Sequence, residues 1–162
     1  MKDLIIYYSW TGRTRTVASV IAAAVNGELM EIQETTTRKR GVGFVIAAFQ
    51  ALCGVKSKIR EMKFTPDRYN RIFLGTPIWA GKATPAINSF LASYDLTNKK
   101  VYLFFTLQDN KPPHKAVETL SKKVKEQGGQ VYNLISIRTQ MGRALDREKV
   151  ETKIREWLNK IL

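Results

Sequence analysis

The stretch from Lys2 to Val25 reads KDLIIYYSWTGRTRTVASVIAAAV, and it decides the fold. An apolar run from Leu4 to Tyr8 ends at a cluster of hydroxyl side chains around Gly12, and an alanine-rich helical pattern follows at once. This order predicts a strand, a short loop and a helix. A helix N-terminus exposes unpaired N–H groups and the positive end of its dipole, so a hydroxyl-rich loop that leads into one is a candidate phosphate site.

The loop around Gly12 is rich in hydroxyl side chains, which can donate hydrogen bonds to an anion. Arg13 adds a guanidinium group, whose positive charge strengthens such hydrogen bonds. The alternative is that these side chains only cap the helix, although four hydroxyls exceed what one cap needs. The spacing matches neither a P-loop nor a dinucleotide fingerprint, because Gly12 stands alone. The hydroxyls that could donate to phosphate oxygens belong to Ser9, Thr11, Thr14 and Thr16.

A second candidate loop follows the strand predicted from Arg71 to Gly75, and a helix begins just after it, near Pro85. Glycine and proline hold such a turn in one shape, so the loop is expected to present the aromatic plane of Trp79 in a fixed pose. A core or lid tryptophan is the alternative, but we expect a tryptophan in this kind of turn to lie outside the core. The loop consists of Thr76, Pro77, Ile78, Trp79, Ala80, Gly81 and Lys82.

Two segments resemble the flavodoxins. Residues 9–14, Ser-Trp-Thr-Gly-Arg-Thr, follow a strand and resemble the flavodoxin phosphate loop Ser/Thr-x-Thr-Gly-Asn-Thr, with Arg13 in place of the usual Asn. Residues 72–91, IFLGTPIWAGKATPAINSFL, resemble the strand, flavin-ring loop and helix of small flavodoxin-like proteins. The similarity runs from residue 2 to about residue 106 and continues more weakly to the end.

The resemblance implies an FMN cofactor, with its phosphate on the first loop, Trp10 included, and its ring stacked on Trp79. No separate adenylate site is visible, so FAD is not expected. The flavin would carry the chemistry, so no catalytic acid or base and no metal ligand is assigned. The loop after the fourth strand is expected to complete the ring site through Thr106, Leu107, Gln108 and Asp109.

Five strands that alternate with helices predict a single α/β domain over residues 1–162, with a doubly wound parallel sheet and helices on both faces. In the flavodoxin-like order 2-1-3-4-5 the chain reverses direction between strands 1 and 3, and both candidate loops lie at that switch point. The remaining elements are expected as strands at Glu28–Gln33, Val101–Phe105 and Val131–Ile137 and as helices at about Lys115–Gln127 and Asp146–Leu162.

An insertion at about residues 35–66 separates the second and third strands and exceeds the length of a minimal crossover. It is basic, and a helix is expected from Val42 to Cys53. The run Arg38–Arg40 leaves the carboxyl end of a strand, so it is expected to border the site. Cys53, the single cysteine, is expected to be a buried inert thiol, and His114, the single histidine, to lie at the surface.

The charge balance bears on the partner. Lys and Arg number 27 against 14 Asp and Glu, so the formal net charge is +13. A positive field of this strength favours an acidic redox partner protein or an anionic membrane surface that presents a quinone. No recognition motif indicates specific binding of nucleic acid. The oligomeric state stays open.

Three functional classes remain open: a one-electron carrier, an enzyme that passes hydride from NAD(P)H through FMN to a quinone, and a binding module without flavin. The hydroxyls of the first loop, Gly12 and Trp79 argue against the third class. Small size favours the carrier, whereas the insertion could form a roof over a substrate, and we place the carrier first. No signal peptide or membrane-spanning run is visible, which predicts a cytoplasmic address.

Overall fold

A computed structural model of the chain describes residues 2–35, 56–63, 65–109, 113–140 and 142–162. The strands in this part of the chain are β1 (Lys2–Tyr7), β2 (Glu28–Glu31), β3 (Tyr69–Trp79), β4 (Lys82–Ala83), β5 (Lys100–Leu107) and β6 (Gln130–Arg138). The helices are α1 (Arg13–Val25), α2 (Pro85–Ser93), α3 (His114–Glu126) and α4 (Arg147–Ile161), with a short 3-10 helix at Pro66–Arg68.

The long strands form a parallel sheet in the order β2-β1-β3-β5-β6, and β4 pairs antiparallel with the end of β3. With the short β4 set aside, this is the predicted order 2-1-3-4-5, so the predicted fold class is confirmed. No sequence signal had predicted β4. Since β1 and β3 are neighbours, the loops that follow them meet at the switch point of the sheet.

Successive residues of a strand point to opposite faces of the sheet, and this gives the protein two cores. Leu4 and Ile6 of β1 belong to the buried cluster that packs against α2 and α3. Ile5 and Tyr7 belong to the cluster on the other face, which packs against α1 and α4. Helices therefore cover both faces of the sheet, as predicted.

Two strands extend further than predicted. β3 continues past Gly75 to Trp79 because Thr76 and Pro77 still pair with residues of β5. At this point β3 has passed the end of its pairing with β1, where a proline without an N–H group is tolerated. β5 likewise continues to Leu107, so part of each predicted loop is strand.

The insertion returns to the sheet along the end of the second strand. Glu34 and Ile59 form an antiparallel bridge, and the Arg60 N–H donates to the Gln33 carbonyl at 2.8 Å. The predicted helix Val42–Cys53, the basic run Arg38–Arg40 and the Cys53 thiol lie outside the described residues. Among the helices the structure describes, none has the length and apolar character to cross a membrane.

Candidate functional site

The N-terminus of α1 is open and electropositive. Gly12 is its N-cap residue, with a left-handed φ of 87°, and no side chain caps the helix. Within the described part of the chain, the Arg13 and Thr14 N–H groups have no acceptor, whereas the Arg15 N–H donates to Ser9 Oγ at 3.2 Å. A Cβ placed on Gly12 would meet nothing within 4 Å. Unpaired N–H groups beside open space could hold an anion.

The hydroxyls of the first loop differ in their partners: two of them bond to other groups of the chain, and two lie on the loop side. The Thr14 hydroxyl lies 2.8 Å from that of Thr106 in a buried pair, and the Thr16 hydroxyl donates to the Gly12 carbonyl at 3.2 Å. Ser9 is half-buried, and the exposed Thr11 makes no hydrogen bond to the described chain. The Ser9 and Thr11 hydroxyls therefore lie on the loop side, whereas those of Thr14 and Thr16 have partners within the chain, and the role of all four at a phosphate stays a prediction.

The Thr14–Thr106 pair joins two of the three predicted loops. Thr106 is 4% exposed and lies in β5, not in the loop after it. Leu107 is also in the strand, and its carbonyl accepts from the Thr139 N–H at 2.7 Å. Of the predicted third loop, Gln108 and Asp109 are exposed beyond the strand end. The predicted residues thus come together, but Thr106 and Leu107 support the site from inside the sheet.

Arg13 makes contacts that no sequence pattern indicated. Its Nη2 donates to the Gln140 carbonyl at 2.9 Å and to the Arg143 carbonyl at 3.4 Å. These carbonyls belong to the connection between β6 and α4, which also leaves the carboxyl edge of the sheet. Arg13 therefore holds a fourth loop at the site. The only sequence feature that could have predicted this contact is that the connection follows the last parallel strand and so leaves the same edge of the sheet.

Trp79 is buried, with 6% of its surface exposed. Its ring meets Tyr8 edge-to-face at 5.9 Å between centroids and Trp10 at 5.7 Å. The expectation that a tryptophan in this turn lies outside the core is wrong. Trp79 is buried because it is a strand residue and not a loop residue: it pairs with Lys82 in the β3–β4 hairpin.

The hairpin turn itself is formed by Ala80 and Gly81, with φ values of 48° and 76°. Two positive φ values in a two-residue turn are typical of a type I′ hairpin. At its base, the fully buried Thr76 hydroxyl accepts from the Thr84 N–H at 3.3 Å. Thr76 thus braces the hairpin, whereas Pro77, Ile78 and Lys82 are half-buried around it.

Trp10 is the more exposed of the two indoles, since it is only half-buried. Tyr8, which the sequence analysis did not assign to the site, lies beneath them and donates from its hydroxyl to Glu34 Oε2 at 2.8 Å. Tyr8 is the last apolar residue before the first loop, and this position could have predicted that it lies at the site. Trp10 is therefore the more exposed of the two indoles, and Trp79 packs against it edge-to-face.

Arg15 extends from the first turn of α1 away from the sheet core. Its Nη2 donates to both carboxylate oxygens of Glu31 at 2.8 Å. These bonds, together with one that Arg15 donates to the Tyr7 hydroxyl oxygen, raise the pKa of Arg15. Burial raises the pKa of the Tyr7 hydroxyl, with the Glu31 charge adding to the effect. Arg15 thus pairs with β2 and fixes the start of α1.

Comparisons with known proteins agree with this architecture. Residues 52–161 match the family model described as flavodoxin. A candidate flavoprotein from Bacteroides eggerthii has a TM-score of 0.75 at 24% identity, over 99% of this chain and 97% of that chain. A flavoprotein from Lactobacillus acidophilus, in complex with FMN, has a TM-score of 0.68 at 26% identity, over 83% and 92%. Oxidised flavodoxin 2 from Bacillus cereus has a TM-score of 0.59 at 22% identity, over 99% of each chain. No curated protein matches the chain.

Proposed function

Because the chain belongs to the flavodoxin family, we propose that it binds FMN at the carboxyl edge of its sheet and works as a one-electron carrier. The observation that carries this proposal is the open N-terminus of α1 at the switch point. Its Arg13 and Thr14 N–H groups have no acceptor in the described chain, and the first turn contains no acidic residue. A phosphate monoester fits this position, because it is anionic and compact.

The chain's own residues would bind and cover the cofactor. The α1 N–H groups and the hydroxyls of Ser9 and Thr11 would hold the phosphate, and Trp10 would offer a face to the ring, supported by Trp79. FMN, when bound, supplies reversible uptake and release of electrons. The related Lactobacillus acidophilus flavoprotein binds FMN, which supports the same cofactor here.

The carrier is placed ahead of an NAD(P)H-dependent quinone reductase because the chain is small and because electron transfer makes the simpler demand on the loops. The side chains at the loops are aromatic, hydroxyl and amide groups, together with the charged Arg13, Lys82 and Asp109. Electron transfer requires no positioned acid or base, whereas hydride and quinone chemistry draws on proton transfer. The reductase remains the second outcome of the test below.

The net charge of +13 supports an acidic redox partner protein. A strong positive field raises encounter rates with acidic surfaces and opposes approach to basic ones. An anionic membrane surface that presents a quinone would exploit the same field, and it is distinguished by experiment. A single cysteine in the chain fits a reducing compartment, so we place the protein in the cytoplasm.

The first prediction concerns FMN. The purified protein is expected to carry close to one FMN per chain, released on denaturation. Gly12→Ala is expected to weaken FMN affinity about tenfold, because the added Cβ would project into the open space beside the unpaired N–H groups, where the phosphate is proposed to lie, and a loss of about 1.4 kcal/mol is a factor of ten. Quenching of FMN fluorescence during titration of apoprotein measures both affinities.

Asn98→Ala is the matched control for backbone strain. Asn98 also has a positive φ, of 61°, but it precedes β5 at the amino edge of the sheet. Both variants should lose folding stability at a residue with a positive φ, Asn98→Ala the less because Asn98 already carries a Cβ, and only Gly12→Ala should lose FMN. A colourless protein that leaves added FMN fully fluorescent at micromolar concentration would rule out the cofactor.

The second prediction concerns the reaction. With FMN bound, the chain alone is expected to oxidise NADH or NADPH with a quinone more slowly than about 1 per second, an ordinary lower limit for enzymes. Its reduction by an acidic donor protein is expected to slow as ionic strength rises, because salt screens the attraction. Stopped-flow absorbance with acidic donors, basic donors and anionic vesicles measures this. Unaided turnover above that limit supports the reductase, and faster transfer from a basic donor contradicts the acidic partner.

A further inference from the structure

β6 forms one edge of the sheet, and within the described residues no strand pairs with its outer side. The opposite edge, β2, has four residues and ends in a glutamate on each side, Glu28 and Glu31. Short strands and charged side chains protect sheet edges from pairing with other chains. β6 has nine residues, and only its last, Arg138, is charged. The β6 edge therefore lacks the protection that β2 has.

The backbone on the outer side of β6 is open towards its carboxyl end. The register with β5 is regular from Asn133 to Arg138. The N–H group of Thr139 faces β5, because it donates to the Leu107 carbonyl at 2.7 Å. N–H groups alternate sides along a strand, so those of Ser136 and Arg138 face away from β5. No backbone group of the described chain outside the sheet accepts from them.

The Leu134 N–H agrees with this alternation and shows what the edge accommodates. It donates to Asn133 Oδ1 at 2.8 Å, and the same oxygen accepts from Trp157 Nε1 at 3.0 Å. A side-chain oxygen thus occupies the place that a carbonyl of an added strand would take. The two outward donors beyond it have no such substitute.

A groove of about 730 Å³ lies between α3 and the first part of β6. Val117, Ser121 and Lys125 of α3 form one wall, and Val131 and Leu134 of β6 form part of the other. The Leu134 side chain is 37% exposed, so it presents apolar surface at the strand edge. An apolar side chain of an added strand would cover this surface.

The charges at this edge identify the kind of strand that fits it. Lys125 is the only charged residue that lines the groove, Arg138 ends the strand, and Lys100 Nζ lies 5.2 Å from the centroid of the exposed Tyr132 ring. None of these three cations forms an ion pair within the part of the chain that the structure describes. Two copies paired along β6 would bring like charges together, whereas an acidic strand would complement them.

We propose that the outer edge of β6 binds an extended segment of an acidic partner protein as an added strand. The segment pairs with the backbone at Ser136 and Arg138, covers the apolar groove beside α3, and presents carboxylates to Lys125 and Arg138. A strand rises about 3.3 Å per residue, so roughly eight residues cover the length of β6. The edge contains none of the residues of the candidate flavin site, so the proposal does not depend on FMN.

A peptide of alternating valine and glutamate, about eight residues long, is the probe, and a valine–lysine peptide of equal length is its counterpart. Fluorescence anisotropy measures peptide binding to the full chain, with and without FMN, and NMR measures amide hydrogen exchange. The glutamate peptide is expected to slow exchange of the Ser136 and Arg138 N–H groups at least about tenfold, because they gain acceptors. The lysine peptide is expected to bind at least about tenfold more weakly.

Ser136→Pro tests strand pairing, because it removes an outward N–H group and leaves the ladder to β5 intact. It is expected to weaken binding of the glutamate peptide about tenfold, whereas Ser136→Ala keeps the N–H group and should change binding less than about twofold. Circular dichroism checks that both variants fold.

Arg138→Gln keeps the test valid if Ser136→Pro unfolds, and it is expected to weaken binding about fivefold through loss of a charge-assisted hydrogen bond. Arg155→Gln is the matched control, since it removes the same charge from the groove between α1 and α4. It should change binding less than about twofold, because salt screens a distant charge. Equal binding of the two peptides, or unchanged exchange at Ser136 and Arg138, would overturn the proposal. A dimer of the free chain that Ser136→Pro dissociates would also overturn it and assign the edge to a second copy.

Discussion

Trp79→Ala is expected to lower the free energy of unfolding by about 3–5 kcal/mol, the usual cost of truncating a buried tryptophan. The indole is 6% exposed and meets the rings of Tyr8 and Trp10 edge-to-face. Each such pair contributes roughly 0.5–1.5 kcal/mol beyond area burial. Urea denaturation followed by far-UV circular dichroism measures the loss. FMN affinity should fall as well, because the support behind Trp10 is removed.

Trp10→Ala is the companion variant that separates the two effects. Trp10 is half-buried, so its removal should cost less stability than removal of Trp79. It also removes the indole that is proposed to contact the flavin ring. We expect FMN binding to weaken by about 1 kcal/mol or more, from lost stacking. If the free energy of unfolding of Trp79→Ala stays within about 1 kcal/mol of that of the parent, the indole is not a core side chain. Trp79 would then be free to stack on the flavin ring, as the resemblance implies.

Much of the fold was predictable because its signals are local. The apolar run at β1, the glycine and hydroxyl loop, and the alanine-rich α1 follow one another within 24 residues. Alternation of strands and helices then permits few topologies, since crossovers in a parallel sheet are right-handed. The order of the five parallel strands was therefore predicted, whereas the two-residue β4 carried no periodic signal.

The site was less predictable because its contacts are between distant residues. The Thr14 hydroxyl pairs with Thr106, 92 positions away, and Arg13 reaches the Gln140 carbonyl, 127 positions away. The sequence shows that such residues are polar, but it does not show which distant residue each one hydrogen-bonds. Trp79 was misjudged for a similar reason, since its burial depends on the β3–β4 hairpin and on the packing of Tyr8 and Trp10 against the indole. Local turn chemistry therefore identified the loops, and the sheet determined which side chains face a ligand.

Gly75→Ala is expected to destabilise the protein by about 3 kcal/mol, near the upper end for overpacking a core. A Cβ on Gly75 would lie under 3.0 Å from three ring atoms of Phe104. Phe104 is fully buried in the core beneath α1 and α4, so its ring has little space to move. Reduced freedom of the unfolded chain returns only roughly 0.4–1 kcal/mol. Chemical denaturation gives the difference directly.

The double variant Gly75→Ala, Phe104→Leu tests that the cost arises from this one contact. A smaller side chain makes room for the new methyl group, so the double variant should be more stable than the sum of the single effects, by roughly 1–2 kcal/mol of coupling. Phe90→Leu is the matched control, since Phe90 is equally buried but belongs to the core on the opposite face. Its effect should add to that of Gly75→Ala without coupling. Equal coupling to both phenylalanines would show a general loosening of the fold instead of a clash between β3 and β5.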